Sequence, residues 1–193
     1  SGCGKTTLLN CLIGLEPPTA GKITVRGKKI TSLEEDDKAQ FRAKKFGMVY
    51  QMAYWVKALT VAENVALSLT IAGVREDYAL RRARKMLRRV GIGKLADQVP
   101  TELSGGEQQK AGLARALVSW PWIIVADEPT GNLDIESGRE LVDLLKMLSQ
   151  EQRRTVILVT HNVDYLQYAT RKIAMEDGQI IGDSSQDSRN IHL

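Results

Sequence analysis

Residues 103–107 read Leu103-Ser104-Gly105-Gly106-Glu107, about twenty residues ahead of the run Ile123-Ile124-Val125-Ala126, which ends in Asp127 and Glu128. No other pair of features limits the fold as much. A serine ahead of small residues caps a helix, here expected to run to about Ser119. An apolar run without alternation is a strand buried on both faces, as in a parallel sheet. The acids then stand at the strand tip, the edge where such sheets bind ligands. The chain opens with Ser1-Gly2-Cys3-Gly4-Lys5-Thr6-Thr7. Its glycines let the backbone wrap an anion and aim N–H groups at it. Strands alternating with helices complete an α/β reading: a mostly parallel sheet flanked by helices.

The rest of the chain fits that plan. Thr6 to Ile13 is expected to be a helix, closed by Gly14. Lys22 to Arg26 alternates like a half-buried strand, and Gly27-Lys28 turns it back toward Ile30. Ser32 is a candidate N-cap for a helix over 33–45, whose acids come first and bases last. Phe46 to Tyr50 is a short apolar strand ending at Gln51. Helices are expected over Thr60 to Ala72 and Glu76 to Val90. In the second, Leu80, Ala83, Leu87 and Val90 share a face. Its arginines read as a solvated face, not a nucleic-acid patch, because no aromatics interleave for stacking. Glu136 to Gln150 is a helix and Thr155 to Thr160 a strand. Asp177-Gly178 joins a hairpin of 171–176 and 179–182. An antiparallel strand pair therefore lies near each end. The expected division is a nucleotide-binding core of 1–52 and 116–182, a helical insertion of 53–115, and a polar tail of 183–193.

Bulk properties exclude several classes. No stretch approaches the roughly 18 apolar residues of a membrane span. A net charge of +4 over 193 residues is too small to imply nucleic-acid binding. Cys3 and Cys11 form no metal-type pair and suggest reduced thiols in the cytoplasm. A complete phosphate loop is G-x-x-x-x-G-K-[ST]. Its first glycine and feeding strand would lie upstream of Ser1, so the expectation is a chain clipped inside that loop.

Within the loop, Lys5 neutralises the β- and γ-phosphates, the Thr6 hydroxyl suits a Mg²⁺ ligand, and Thr7 reaches toward the α-phosphate. Asp127 is expected to hold Mg²⁺. Glu128 contacts or orients the attacking water as a general base. Ser104, Gly105 and Gly106 open a second helix that suits an anion, more than one triphosphate requires within one chain.

Phosphate loop, serine–glycine pair and acidic strand together resemble the ABC ATPase family, the P-loop nucleotide-binding subunits of ATP-binding cassette transporters. The resemblance covers Ser1 to about Gly182. It implies an ATP- and Mg²⁺-dependent enzyme. Gln51 then meets Mg²⁺ or the lytic water, and His161 contacts the γ-phosphate. Two subunits, identical or not, face head to tail, with each ATP between one phosphate loop and the other subunit's Ser104-Gly105-Gly106. The stretch Asn132-Leu133-Asp134 crosses that interface, with Asp134 near the opposite site. Tyr54 and Trp55 are either core or the lining of a groove for a transmembrane permease subunit, and the resemblance favours the groove. Lys110 stands where the family more often has arginine, a cation of different geometry. The family's adenine-stacking aromatic would lie upstream.

The implied function is ATP hydrolysis that powers a membrane transporter through ATP-driven dimerisation, on the cytoplasmic face of the membrane. The segment Pro129 to Asp134 and the short insertion look most like the lipoprotein-releasing and macrolide-export branch. The alternatives are a soluble ATPase of this type acting on DNA or ribosomes, and an inactive fragment. The first is disfavoured by the absence of sustained heptads between Lys5 and Ser104.

Overall fold

A computed structural model describes residues 3–152 and 154–185. In chain order these form α1 (Lys5–Leu12), β1 (Thr24–Val25), β2 (Lys28–Lys29), α2 (Glu35–Lys45), β3 (Phe46–Tyr50), α3 (Val61–Ile71), α4 (Glu76–Arg89), α5 (Gly105–Leu117), β4 (Ile123–Asp127), α6 (Ile135–Gln152), β5 (Thr155–Val159), β6 (Ile173–Glu176) and β7 (Gln179–Asp183). The chain divides into two compact units, one of residues 1–42 with 161–193 and one of residues 43–160.

The second unit is built on a parallel sheet in the order β3-β4-β5. Central β4 buries Ile124, Val125 and Ala126 completely, which is why its sequence is apolar without alternation. Gly47 in β3 is required by packing: a Cβ there would overlap the Ala116 carbonyl oxygen and come within 3.0 Å of Pro121 Cγ. Glycine lets α5 lie directly on the strand. The core joins Val61 and Val65 of α3, Ala83 and Leu87 of α4, Leu113 and Leu117 of α5, and Leu141, Leu145 and Leu148 of α6. Each buried leucine contributes about 1.5–3 kcal/mol over an exposed one.

Helix starts in this unit follow side-chain chemistry. Thr60 and Glu63 form a reciprocal cap on α3. On α4, Ala83 and Leu87 face inward as the spacing predicts, with Val90 buried just beyond the helix end. Ala79 and Met86 join them. Outward arginines pair with acids in solvent, Arg81 with Asp77 and Arg84 with Asp97. Such exposed pairs add little stability.

In the first unit β1 and β2 form one antiparallel pair, and β6 and β7 another. Asp177 and Gly178 both have positive φ (45° and 76°), as a two-residue hairpin loop demands. Arg42 of α2 donates to the Gly14 carbonyl at 2.9 Å. Residues Val163–Tyr168 form a 3-10 helix capped by Asn162, which periodicity does not announce.

Several expected boundaries move. Ser32 does not cap α2: its hydroxyl donates to the Lys29 carbonyl inside a 3-10 turn over Ile30–Ser32, and α2 starts at Glu35. The strand expected over 22–26 contracts to two residues. The final strand extends to Asp183, and the Ser184 N–H donates to the Lys172 carbonyl. The hairpin therefore overlaps the start of the expected tail, whose residues 186–193 lie outside the described part.

Candidate functional site

Register places the chemistry of the second unit. Tyr50, Asp127 and Val159 align across the C-terminal ends of the three parallel strands. Gln51, Glu128 and Thr160 directly follow these three strands and share that edge. Glu128 is a non-glycine residue with φ 47°, and its N–H donates to the Val159 carbonyl at 3.0 Å. A carboxylate-bearing residue held in the left-handed region carries backbone strain, which concentrates at functional sites. Pro129 is buried directly behind it.

The edge continues into Gly131-Asn132. Gln51 Nε2 stands 3.4 Å from Asn132 Oδ1. A Cβ on Gly131 would lie only 2.6 Å from that same Nε2, so glycine makes room for the glutamine amide.

A second corner forms where α5 and α6 begin. Ser104 is the N-cap of α5, and its side chain accepts from the Glu107 N–H at 3.4 Å. The Glu107 carboxylate accepts in return from the Ser104 N–H and hydroxyl, both at 2.8 Å. Those two bonds, the main-chain one first, hold the Glu107 carboxyl below its ordinary value. Asp134 accepts from the Ser137 N–H at 2.9 Å and the Ser137 hydroxyl at 2.7 Å, at the start of α6. Its pKa is lowered by the same donors, the N–H first. In its own chain, then, Asp134 caps a helix, a task sequence reasoning missed although an aspartate directly ahead of a helix signals it. A Cβ on Gly106 would lie 2.9 Å from Ser137 Oγ, and one on Gly105 would lie 3.7 Å from Leu133 Cδ2. The serine–glycine pair and the Asn132-Leu133-Asp134 loop are therefore neighbours in one chain.

One face of α5 grips the segment after β3. Trp55 Nε1 donates to Gln108 Oε1 at 3.2 Å. Arg115 donates to the Tyr54 carbonyl at 2.6 Å and stacks its guanidinium 4.5 Å from the Trp55 ring centroid. Gln109 is 4% exposed and donates to the main-chain carbonyls of Tyr50 and Gln51. The predicted aromatic pair splits: Trp55 packs on the core, while Tyr54 is 76% exposed. No sequence pattern singles out Gln109 or Arg115. Lys110 pairs with Glu140 of α6 at 2.6 Å.

In the first unit the phosphate loop is described from Cys3. Ser1 and Gly2 lie outside the described residues. Gly4 has φ 84° and gives α1 no side-chain cap, and no acid occupies the first turn. The Cys3 carbonyl accepts from the Gly178 N–H of the hairpin at 3.2 Å, and Lys5 Nζ stands 3.2 Å from Cys3 Sγ. Thr6 and Thr7 lie exposed in that first turn. A helix start without its own acid is suited to phosphate. His161 also belongs to this unit. It is exposed, two residues beyond Val159, so the strand expected to reach it ends earlier. The structure thus assembles Gln51, Asp127, Glu128, Ser104, Gly105, Gly106 and Asp134 in one unit, and Cys3 to Thr7 with His161 in the other.

Among the described residues no three of His, Cys, Asp and Glu cluster as a metal site. The Asp127 carboxylate and the Gln51 amide at the sheet edge offer oxygen donors of the kind Mg²⁺ takes, commonly one or two carboxylates completed by phosphates and water. No described helix is long and apolar enough to cross a membrane.

The ABC transporter family matches residues 1–131. An ABC transporter ATP-binding protein of Methanocaldococcus jannaschii is 43% identical over 94% of this chain and 80% of its own length. The lipoprotein-releasing system ATP-binding protein LolD of Wigglesworthia glossinidia brevipalpis is 39% identical over 93% of this chain and 79% of its own. The macrolide export ATP-binding/permease protein MacB of Aggregatibacter actinomycetemcomitans is 40% identical over 96% of this chain, which spans 29% of that longer protein. Among solved structures, a dimeric bacterial ABC transporter cassette superposes with a TM-score of 0.85 at 35% identity, over 95% of this chain and 81% of that one. A post-hydrolysis dimer of an ATP-binding cassette bound to ADP and Pi gives 0.85 at 34% identity, over 94% and 80%.

Proposed function

The chain belongs to the ABC transporter family, and on that premise we propose how each part of its site serves an ATP-hydrolysing subunit that powers a membrane transporter. Such a subunit works with a second nucleotide-binding subunit and a membrane permease. The phosphate loop, Ser1 to Thr7, binds the triphosphate through main-chain N–H groups and Lys5. Thr6, Gln51 and Asp127 are the residues that would hold Mg²⁺, and the ion would offset phosphate charge as it develops. Glu128 takes the role of general base toward water, worth on the order of 10²–10⁴ in rate. His161 senses the γ-phosphate.

The observation that carries this reading is the left-handed Glu128 at the tip of β4, fixed by its N–H to Val159 and sharing the sheet edge with Gln51. A carboxylate-bearing residue at the tip of a parallel strand stands at the edge where such a sheet meets its ligand.

ATP closes the dimer in this account. The α5 start at Ser104, Gly105 and Gly106 contacts the nucleotide held by the other subunit, with Asp134 nearby. Closure draws on the higher affinity of ATP for the dimeric state, and hydrolysis removes it. The exposed Tyr54 and Met52 receive the permease, on the inner face of the membrane.

Ser104→Arg in the full-length protein tests action in trans. Turnover is expected to collapse while nucleotide binding by the variant's own loop persists. Equal loss of binding and turnover contradicts the arrangement.

A further inference from the structure

Gln109 is a buried amide that the site as described leaves without a role. It lies in the second turn of α5 and is 4% exposed. Its Nε2 donates to two main-chain carbonyls, Tyr50 at 3.1 Å and Gln51 at 2.5 Å. Both acceptors are carbonyls, so only the NH₂ end of the side chain can face them. Its Oε1 is buried without a partner. An amide that leaves its oxygen unsatisfied to place both donors on one spot is there for those donors.

The two carbonyls belong to the peptide groups on either side of the Gln51 Cα, from which its side chain leaves. Tyr50 is the last residue of β3 and Gln51 the first beyond the register line. The same face of α5 holds the following residues. Ala53 Cβ would lie 3.8 Å from a Cβ on Gly112, Trp55 bonds Gln108, and the Tyr54 carbonyl accepts from Arg115. Gln109 is the one contact of this set that reaches Gln51 itself. About two turns of one helix, from Gln108 to Arg115, thus carry residues 50–55, and the helix opens with Ser104-Gly105-Gly106.

We propose that Gln109 is a positioning residue for ATP hydrolysis: it fixes where the Gln51 side chain leaves β3 and makes that position follow α5. The proposal rests on the role given above to Gln51 at the metal or the lytic water. A movement of α5 on meeting the partner's nucleotide would then reach the hydrolytic edge through one side chain. The rigid path is short: an α-helix and two hydrogen bonds.

Gln109→Met in the full-length protein is the test. Methionine matches the unbranched shape and suits burial, but donates nothing. Melting temperature, nucleotide affinity and steady-state turnover are measured for Gln109→Met, Gln51→Ala and the double variant. Expected are near-normal ATP affinity and a turnover lower by about 10–100-fold, the scale of a misplaced catalytic group. The double variant should turn over within about twofold of Gln51→Ala, because sites that act as one are non-additive. The Mg²⁺ concentration for half-maximal turnover should rise in both single variants.

A merely structural role predicts a lower melting temperature, an unchanged Mg²⁺ dependence and losses that multiply; that result overturns the proposal. Normal turnover in Gln109→Met, with Gln51→Ala defective, overturns it while sparing the role of Gln51. Normal turnover and Mg²⁺ dependence in Gln51→Ala overturn both. Should Gln109→Met fail to fold, Gln109→Leu removes the donors with another apolar side chain of similar volume, and the same three outcomes apply.

Discussion

Gly131→Ala displaces one group at the sheet edge proposed to carry hydrolysis, and little else. The added Cβ would stand 2.6 Å from Gln51 Nε2, 3.1 Å from its Cδ and 3.4 Å from its Cγ. Ordinary contact begins at 3.4 Å, so the amide must retreat by 3.4 − 2.6 = 0.8 Å. Gly131 is not in the left-handed region, so alanine meets no backbone strain. The moving group is the end of an exposed side chain, and its bond to Asn132 is already long at 3.4 Å. The cost in stability is therefore about 0.5 kcal/mol or less, as for surface substitutions generally. The cost in rate is larger: a misplacement near 1 Å can lower turnover by on the order of 10²-fold. Steady-state ATP turnover should fall by about 10–100-fold with melting temperature and nucleotide affinity almost unchanged. Turnover within twofold of the parent would refute the placement of Gln51 in the reaction.

Two further outcomes follow from the same geometry. Gly47→Ala meets backbone, not a flexible side chain, so α5 must lift from β3; a loss of about 1–3 kcal/mol is expected, read as a drop of several degrees in melting temperature, and an unchanged value would show that the helix does not lie on the strand. The Glu107 carboxyl is held below its ordinary value of 4.5, so the stability it adds is full above that pH and is lost as pH falls through its lowered folded value. Glu107→Gln keeps the acceptor but not the charge, so its melting temperature should fall less steeply than the parent's below pH 4.5, and parallel curves would contradict the assignment.

The parallel strands were legible because burial on both faces leaves uninterrupted apolar runs: β3 matches its expected bounds, and β4 and β5 each fall within one residue at one end. Thr60 and Ser104 were legible as helix starts because their hydroxyls do local work. Ser32 looked the same but bonds backward to Lys29, since Ile30 is fixed by pairing to the Ile23 carbonyl and winds the chain into a 3-10 turn first. Asp177-Gly178 was legible because few other residue pairs accept positive φ twice. Chemistry at the sheet edge was visible as residue types, Asp127 and Glu128 after an apolar run. The left-handed Glu128, the room Gly131 leaves for Gln51 and the donors of Gln109 were not. Each depends on contacts between segments tens of residues apart, and no local periodicity encodes them.

On the function proposed above, ATP holds two copies of the site together until Glu128 acts. Glu128→Gln in the full-length protein tests it by molar mass in solution, with and without MgATP. A stable dimer with ATP and a monomer without it are expected. A variant that binds ATP normally yet stays monomeric contradicts the account.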